Sequence, residues 1–175
     1  MITVLYAHPY PNRSIACKAL VEAIRPLEGV EVRTLYDLYP DFDIDVPAEQ
    51  AALEATDALV LLHPIYWYSA PGLLKHYLDV VFVKGWAYGP EGTKLQGKDC
   101  LWVATTGGDD EAYSGSGRHE QPFGQFSQPM RQTARYCGMR WLDPFGLHAS
   151  HQIDAAALAK TAEQLRQRIS DLKKP

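Results

Sequence analysis

The chain is poor in the features that assign a function at a glance. It has only 3 cysteines in 175 residues, Cys17, Cys100 and Cys137. That odd number without metal-type spacing argues against a disulfide framework or a zinc ribbon and fits reduced thiols packed in a core. Positive charge is not in excess: 17 Lys and Arg stand against 21 Asp and Glu, for a net charge of −4. There is therefore no electrostatic case for nucleic acid as a partner. The hydrophobic runs are strand-sized, too short to cross a bilayer, and no transmembrane segment is expected. Residues 1–7 lack the charged start, long apolar centre and cleavage site of a secretory signal, so the expected location is the cytoplasm. Neither a G-x-S-x-G elbow nor a Walker-type G-x-x-x-x-G-K-[ST] occurs, which removes the anchor of the hydrolase and nucleotide-triphosphatase readings. His148 and His151 have no third ligand in view, and no metal site is expected.

What is present is an alternation of strand and helix patterns within a length natural for a single domain, residues 1–175. Apolar runs at 2–7, 58–62 and 100–105 read as buried parallel strands. Val30, Val32, Thr34 and Tyr36 alternate as another, and 139–147, interrupted by Pro144, reads as a fifth. Between them lie helical patterns: one capped by Ser14, one over 48–55, one opened by Pro71, one over 126–136 ended by Gly138, and one capped by Asp154. The fold class expected is α/β, a flavodoxin-like doubly wound five-stranded parallel sheet in the order 2-1-3-4-5 with helices on both faces.

In such folds ligands bind at the carboxyl ends of the strands. The first strand runs into His8, then a loop, then Ser14 before a helix whose free N–H groups suit a mononucleotide phosphate. The third ends at Pro64 and is followed by Tyr66, Trp67 and Tyr68. Three consecutive rings cannot share one face of a regular element, so at least one should face the site, and a planar ligand is implied. The fourth ends in Thr105, Thr106, Gly107 and Gly108, where bare backbone lets a ligand approach closely. The polar segment from 109 to 124 is long for a plain connection and is a candidate lid or binding loop. A phosphoacceptor receiver shares the strand order but needs acidic residues where Ala7, His8 and Pro9 stand.

Ala7-His8-Pro9, Ser14 to Cys17, His63 to Tyr68, Gly85-Trp86-Ala87-Tyr88-Gly89 and Thr105 to Gly108 together resemble the NAD(P)H:quinone oxidoreductase family of flavoproteins, nearly end to end. The stretch at 39–45 and the Gly-Trp-Ala-Tyr-Gly loop look most like the ancillary subunits of bacterial glutathione-gated potassium efflux systems. The resemblance implies FMN as cofactor, with FAD the alternative, NAD(P)H as reductant and a quinone as acceptor. It places the flavin contacts on His8, Ser14, Ile15, Ala16 and Cys17, on Pro64, Ile65, Tyr66, Trp67 and Tyr68, and on Thr105, Thr106, Gly107 and Gly108. Its catalytic pair falls on Tyr113 and His119. It also implies a homodimer, with Trp86 and Tyr88 as contributors to the interface, and a cytoplasmic domain of a potassium/proton antiporter as partner, which would hold the protein peripherally on the inner face of the membrane. Two other roles remain open at this point: a regulatory subunit with incidental redox activity, and a flavodoxin-type electron carrier.

Overall fold

Five consecutive buried residues make Ile2–Tyr6 the first strand, β1. In the computed structural model, which describes residues 1–172 and leaves the last three of the expected domain span outside, β1 lies inside the sheet between two parallel neighbours. A loop with a 3₁₀ turn at Pro11–Arg13 leads to α1, Ile15–Ile24, where the Ser14 hydroxyl caps the helix by accepting from Cys17 N at 3.1 Å. Next come β2 (Val30–Thr34), α2 (Leu35–Leu38), α3 (Val46–Glu54), β3 (Ala58–Pro64), α4 (Gly72–Val81) and β4 (Asp99–Thr105). The chain ends with α5 (Gln128–Tyr136), β5 (Arg140–Trp141), β6 (Phe145–Leu147) and α6 (Ala155–Asp171), the last capped by Asp154.

The sheet runs β2-β1-β3-β4-β5, all parallel, with β6 also on β4. β5 and β6 are the expected fifth strand cut in two. β5 pairs with Asp99 and Cys100, β6 pairs with Val103 to Thr105, and Pro144, which has no N–H to give a ladder, occupies the gap. Side chains alternate across the sheet. Val4, Tyr6, Val60, Leu62 and Val103 pack under α1 and α6, whereas Leu5, Leu59, Leu61 and Trp102 pack under α4 and α5. Both faces are thus covered, as the continuous apolar runs require.

Three local details differ from the sequence expectation. The second strand stops at Thr34, because Leu35 is wholly buried as the start of the one-turn α2. Pro71 takes the cap position of α4 rather than its first turn. α3 starts two residues early, capped by Asp45, whose side chain accepts from Ala48 N, with a proline in its first turn. This helix carries Glu49 fully inside the protein, where it accepts from Arg33 Nε at 2.8 Å, from Arg33 Nη2 at 2.5 Å, and from the hydroxyls of Tyr77 at 2.9 Å and of Tyr39.

His63, on β3, is also fully enclosed. Its Nε2 accepts from Trp102 Nε1 at 2.7 Å and its Nδ1 lies 2.8 Å from the Pro64 carbonyl, so both nitrogens are satisfied in the neutral ring. Burial lowers its pKa from 6.5 to about 4. The unfolded chain therefore binds a proton that the folded one refuses. The neutral ring's contribution is intact above pH 6.5 and is lost as pH falls through about 4. Replacing His63 with Gln should flatten this part of the acid limb. Between pH 6.5 and 4 the variant should lose about 1 to 3 kcal/mol less stability than the parent in urea titrations.

Candidate active site

The carboxyl ends of β1, β3 and β4 and the loop after β6 close around a hollow of about 370 Å³. Each wall has a local cause. On the β1 side, Tyr10 N donates to His8 Nδ1 at 3.0 Å, which places the ring proton on Nε2, and burial lowers the pKa of His8. Ser14, Ile15 and Ala16 present the start of α1, where the first helical N–H groups have no intrahelical acceptor, and Arg13 adds a positive charge. The Tyr6 hydroxyl is buried and makes no hydrogen bond of ordinary length. Burial holds it well above the usual phenol range, with Ser14 pulling weakly the other way.

On the β3 side, Pro64, Ile65 and Tyr66 line the hollow, and Tyr66 and Ser69 exchange both backbone hydrogen bonds at 3.0 Å. The two residues between them, Trp67 and Tyr68, have φ of 47° and 62°. Left-handed backbone at both central positions is the geometry of a tight hairpin turn, and it costs aromatic residues on the order of 1 kcal/mol or more each. It also resolves how three rings in a row diverge. Tyr66 turns edge-on toward His8, Trp67 is 92% exposed, and Tyr68 stacks on Phe126 with centroids 5.7 Å apart.

On the β4 side, Thr105 and Gly107 reach the hollow. Among the described residues nothing accepts from the N–H groups of Gly107 and Gly108, which leaves two donors free for a ligand. A Cβ on Gly108 would stand 3.2 Å from the side chains of Ala112, Tyr113 and Arg118, so a larger residue there would press those neighbours back by a few tenths of an ångström. The loop after β6 is fastened to it: Ala149 N donates to Gly108 O at 2.8 Å and Ser150 N to Thr106 O at 2.9 Å.

Behind Gly108 the segment after β4 folds back so that Tyr113 and His119 meet with ring centroids 4.5 Å apart. Tyr68 lies edge-on to His119, and Phe126 edge-on to Tyr113. Burial raises the pKa of Tyr113, while Arg118 and the Thr106 side chain counteract it. The expected pair thus forms, beside the glycine turn.

Most of the residues expected at the site do line the hollow: His8, Ser14, Ile15, Ala16, Pro64, Ile65, Tyr66, Thr105 and Gly107. Tyr68 lies in the cluster with Tyr113 and His119, and Trp67 projects into solvent. Two side chains turn elsewhere. Cys17 is fully buried with Sγ 3.2 Å from Thr105 Oγ1, and Thr106 Oγ1 points to His148. Sequence reasoning missed Tyr10, Arg13, Ser150, His151 and Ile153. The signal was available for the last three, since they follow another strand's carboxyl end. A larger hollow of about 600 Å³ lies between α5 and β5, beside Arg131, Arg135 and Trp141. Pro122 and Gly124 of the expected binding segment border it, but it contains none of the expected flavin contacts and neither Tyr113 nor His119.

A helix start for a phosphate and free N–H donors for the carbonyl edge of a ring suit a mononucleotide with a planar head. Comparison with known proteins agrees: residues 1–169 match the model of a family described as flavodoxin-like fold. The chain belongs to that flavodoxin-like family. Within the family it is 47% identical over 171 residues, 98% of this chain and 96% of the relative, to the glutathione-regulated potassium-efflux system ancillary protein KefF of Enterobacter sp. (strain 638). Among solved structures, general stress protein 14 of Treponema denticola in complex with FMN superposes with a TM-score of 0.92 at 32% identity, covering 98% of this chain and 99% of that one. An NADPH-quinone reductase from P. pentosaceus gives 0.88 at 26%, covering 96% of each. The resemblance read from the motifs is therefore borne out, and so is the strand order.

Proposed function

We propose that the protein is an FMN-dependent NAD(P)H:quinone oxidoreductase that forms a homodimer and serves as the ancillary activator of a potassium/proton antiporter. The observation that carries the enzymatic part is the junction at Gly107 and Gly108. A phosphate-suited hollow lies to one side of these residues and the Tyr113–His119 pair to the other. FMN, when bound, supplies the redox chemistry, accepting hydride from NAD(P)H and passing it to the quinone. The chain's own residues bind and orient. The start of α1 with Ser14 and Arg13 would hold the phosphate, and the N–H groups of Gly107 and Gly108 would meet the ring's carbonyl edge. Tyr113 and His119 supply a phenol and an imidazole where negative charge develops. A simple electron carrier would have no use for such a pair. The ancillary role rests on the 47% identity to a potassium-efflux ancillary protein.

Reconstitution tests the core of this reading. Protein titrated with FMN should bind it at micromolar concentration, and the complex should oxidise NAD(P)H steadily when a quinone is supplied. Failure to bind either FMN or FAD would refute the flavoenzyme reading, and single-turnover reduction without steady turnover would favour a carrier. Co-purification with a potassium antiporter tests the ancillary role. No described helix is long and apolar enough to cross a membrane, so the membrane association proposed here runs through such a partner.

The homodimer has a surface to use. Tyr136 is largely exposed on α5 beside Tyr88, with ring centroids 5.2 Å apart, and the shallow hollow next to them is lined by Leu78, Phe82 and Pro129. Trp86, expected from sequence as an interface ring, is half-buried, packs against Phe82 and donates to the exposed Glu54 at 2.9 Å. Tyr88 and Tyr136 are the better anchors. Light scattering should give about twice the 19.6 kDa chain mass, and a single 19.6 kDa species at all working concentrations would rule the dimer out.

A further inference from the structure

We infer that Arg118 tunes the reduction potential of the bound flavin by placing a positive charge beside the ring edge that Gly107 and Gly108 receive. The inference deepens the FMN-reductase reading and rests on it. A second hollow, of about 430 Å³, shares Gly107 with the first and is lined by both glycines, Asp109, Glu111 and Arg118. Among its lining residues Arg118 is the one cation. Arg118 Nη2 and a ring carbon of Tyr113 each lie 3.2 Å from the point that a Cβ on Gly108 would occupy, so the guanidinium and the phenol ring meet at the same turn.

The backbone under Arg118 is fixed. A Cβ on Gly117 would fall 1.8 Å from Glu111 O, Gly117 N donates to Ser114 O at 3.2 Å, and His119 N donates to Ala112 O at 3.1 Å, so the segment is tied down on both sides of Arg118. The side chain itself is exposed and, among the described residues, makes no hydrogen bond or ion pair. Its charge is therefore not neutralised by contact. Asp109 accepts from Ala112 N at 2.9 Å, Asp110 lies 3.3 Å from His148 Nε2, and Glu111 lines the hollow without an ion pair. The guanidinium already acts inward, since it counteracts the rise that burial gives the Tyr113 phenol.

A hydride from NAD(P)H carries two electrons and one proton to the flavin, so the ring gains one negative charge while the nicotinamide leaves as a cation. When the same hydride passes to a quinone, that charge is withdrawn. A fixed cation at the edge where the charge settles favours the first step and opposes the second. Water screens an exposed guanidinium, and a ligand seated against Gly107 and Gly108 displaces part of that water. Attraction across such a half-wet gap supports an effect of about tenfold rather than thousandfold.

Potentiometric titration of the FMN-loaded protein reads the effect directly. Arg118→Gln should lower the two-electron potential by about 30 mV, the equivalent of tenfold in the equilibrium. Sulfite, which adds to a flavin more tightly the more positive its surroundings, should bind about tenfold more weakly. Arg118→Lys restores the charge without the planar fork, and both readings should return to within about twofold of wild type. In stopped flow, Arg118→Gln should bleach more slowly with NAD(P)H and reoxidise faster with quinone, whereas rates that fall together would mark a structural role and overturn the inference. Should Arg118→Gln fail to retain FMN, Glu111→Gln decides in its place, because removing a negative charge from the same hollow should raise the potential. An unmoved potential and sulfite affinity in a variant that holds FMN would overturn the role of Arg118 and leave the flavoenzyme reading standing. A wild-type protein that binds neither FMN nor FAD would overturn both.

Discussion

Reduction of bound FMN by NAD(P)H should slow roughly ten- to a hundredfold in Tyr113→Phe and in His119→Gln, with FMN still bound. Tyr113→Phe deletes one hydroxyl from a buried ring that packs against His119, Phe123 and Phe126, so the cluster keeps its shape. His119→Gln keeps a hydrogen-bonding group and removes the imidazole. Neither residue lines the hollow proposed for the cofactor phosphate, and affinity should hold within a few-fold. What each substitution removes is stabilisation of charge that grows only as hydride transfers, about 1–3 kcal/mol of barrier. Stopped-flow bleaching of the flavin measures that step apart from reoxidation by quinone. Unchanged bleaching in both variants would take the pair out of the chemistry.

Glu49→Ala should be the most destabilising single change among those considered, by about 3–5 kcal/mol. The carboxylate is wholly enclosed and takes two hydrogen bonds from Arg33 and one each from Tyr39 and Tyr77. Its removal leaves a largely enclosed guanidinium, with Glu31 its one remaining ion-pair partner among the described residues, and two inward phenols without their acceptor. Because the cost comes from the unpaired partners, Glu49→Gln should recover only part of it. Urea unfolding of the three proteins measures the difference, and a loss below 1 kcal/mol for Glu49→Ala would show that water or neighbouring groups replace the carboxylate.

Why one of these sites was legible in the sequence and the other was not has a physical explanation. β1, β3 and β4 are buried on both faces, so their residues form unbroken apolar runs, and the ligand-bearing loops follow at once. His8, Ser14, Pro64 and Gly107 were found by that rule, and Tyr113 and His119 by family resemblance. Glu49 reads as an ordinary polar residue of the short helix expected over 48–55. It becomes central only because β2, the end of α2 and α4 bring Arg33, Tyr39 and Tyr77 to one point, and such convergence leaves no local periodicity. Ser150 and His151 escaped for a related reason. A strand of two and three residues split by Pro144 is a weak pattern, so the loop after it did not register as another strand end. Leu35 shows the limit at element boundaries, where an apolar residue continues a strand pattern equally well or begins a helix turn.

The turn at Trp67 and Tyr68 bears on how this protein would evolve under different pressures. Selection for heat resistance alone should favour Gly or Asn at both positions, since each relieves left-handed backbone that aromatic residues tolerate poorly. Selection for turnover should restore the rings, because Tyr68 closes the cluster around His119 and Trp67 is the exposed ring of the turn that follows Tyr66. A library randomised at these two codons and sorted by each criterion should therefore yield two nearly disjoint sets of survivors, making the turn a direct gauge of what the protein gives up in stability to hold its site.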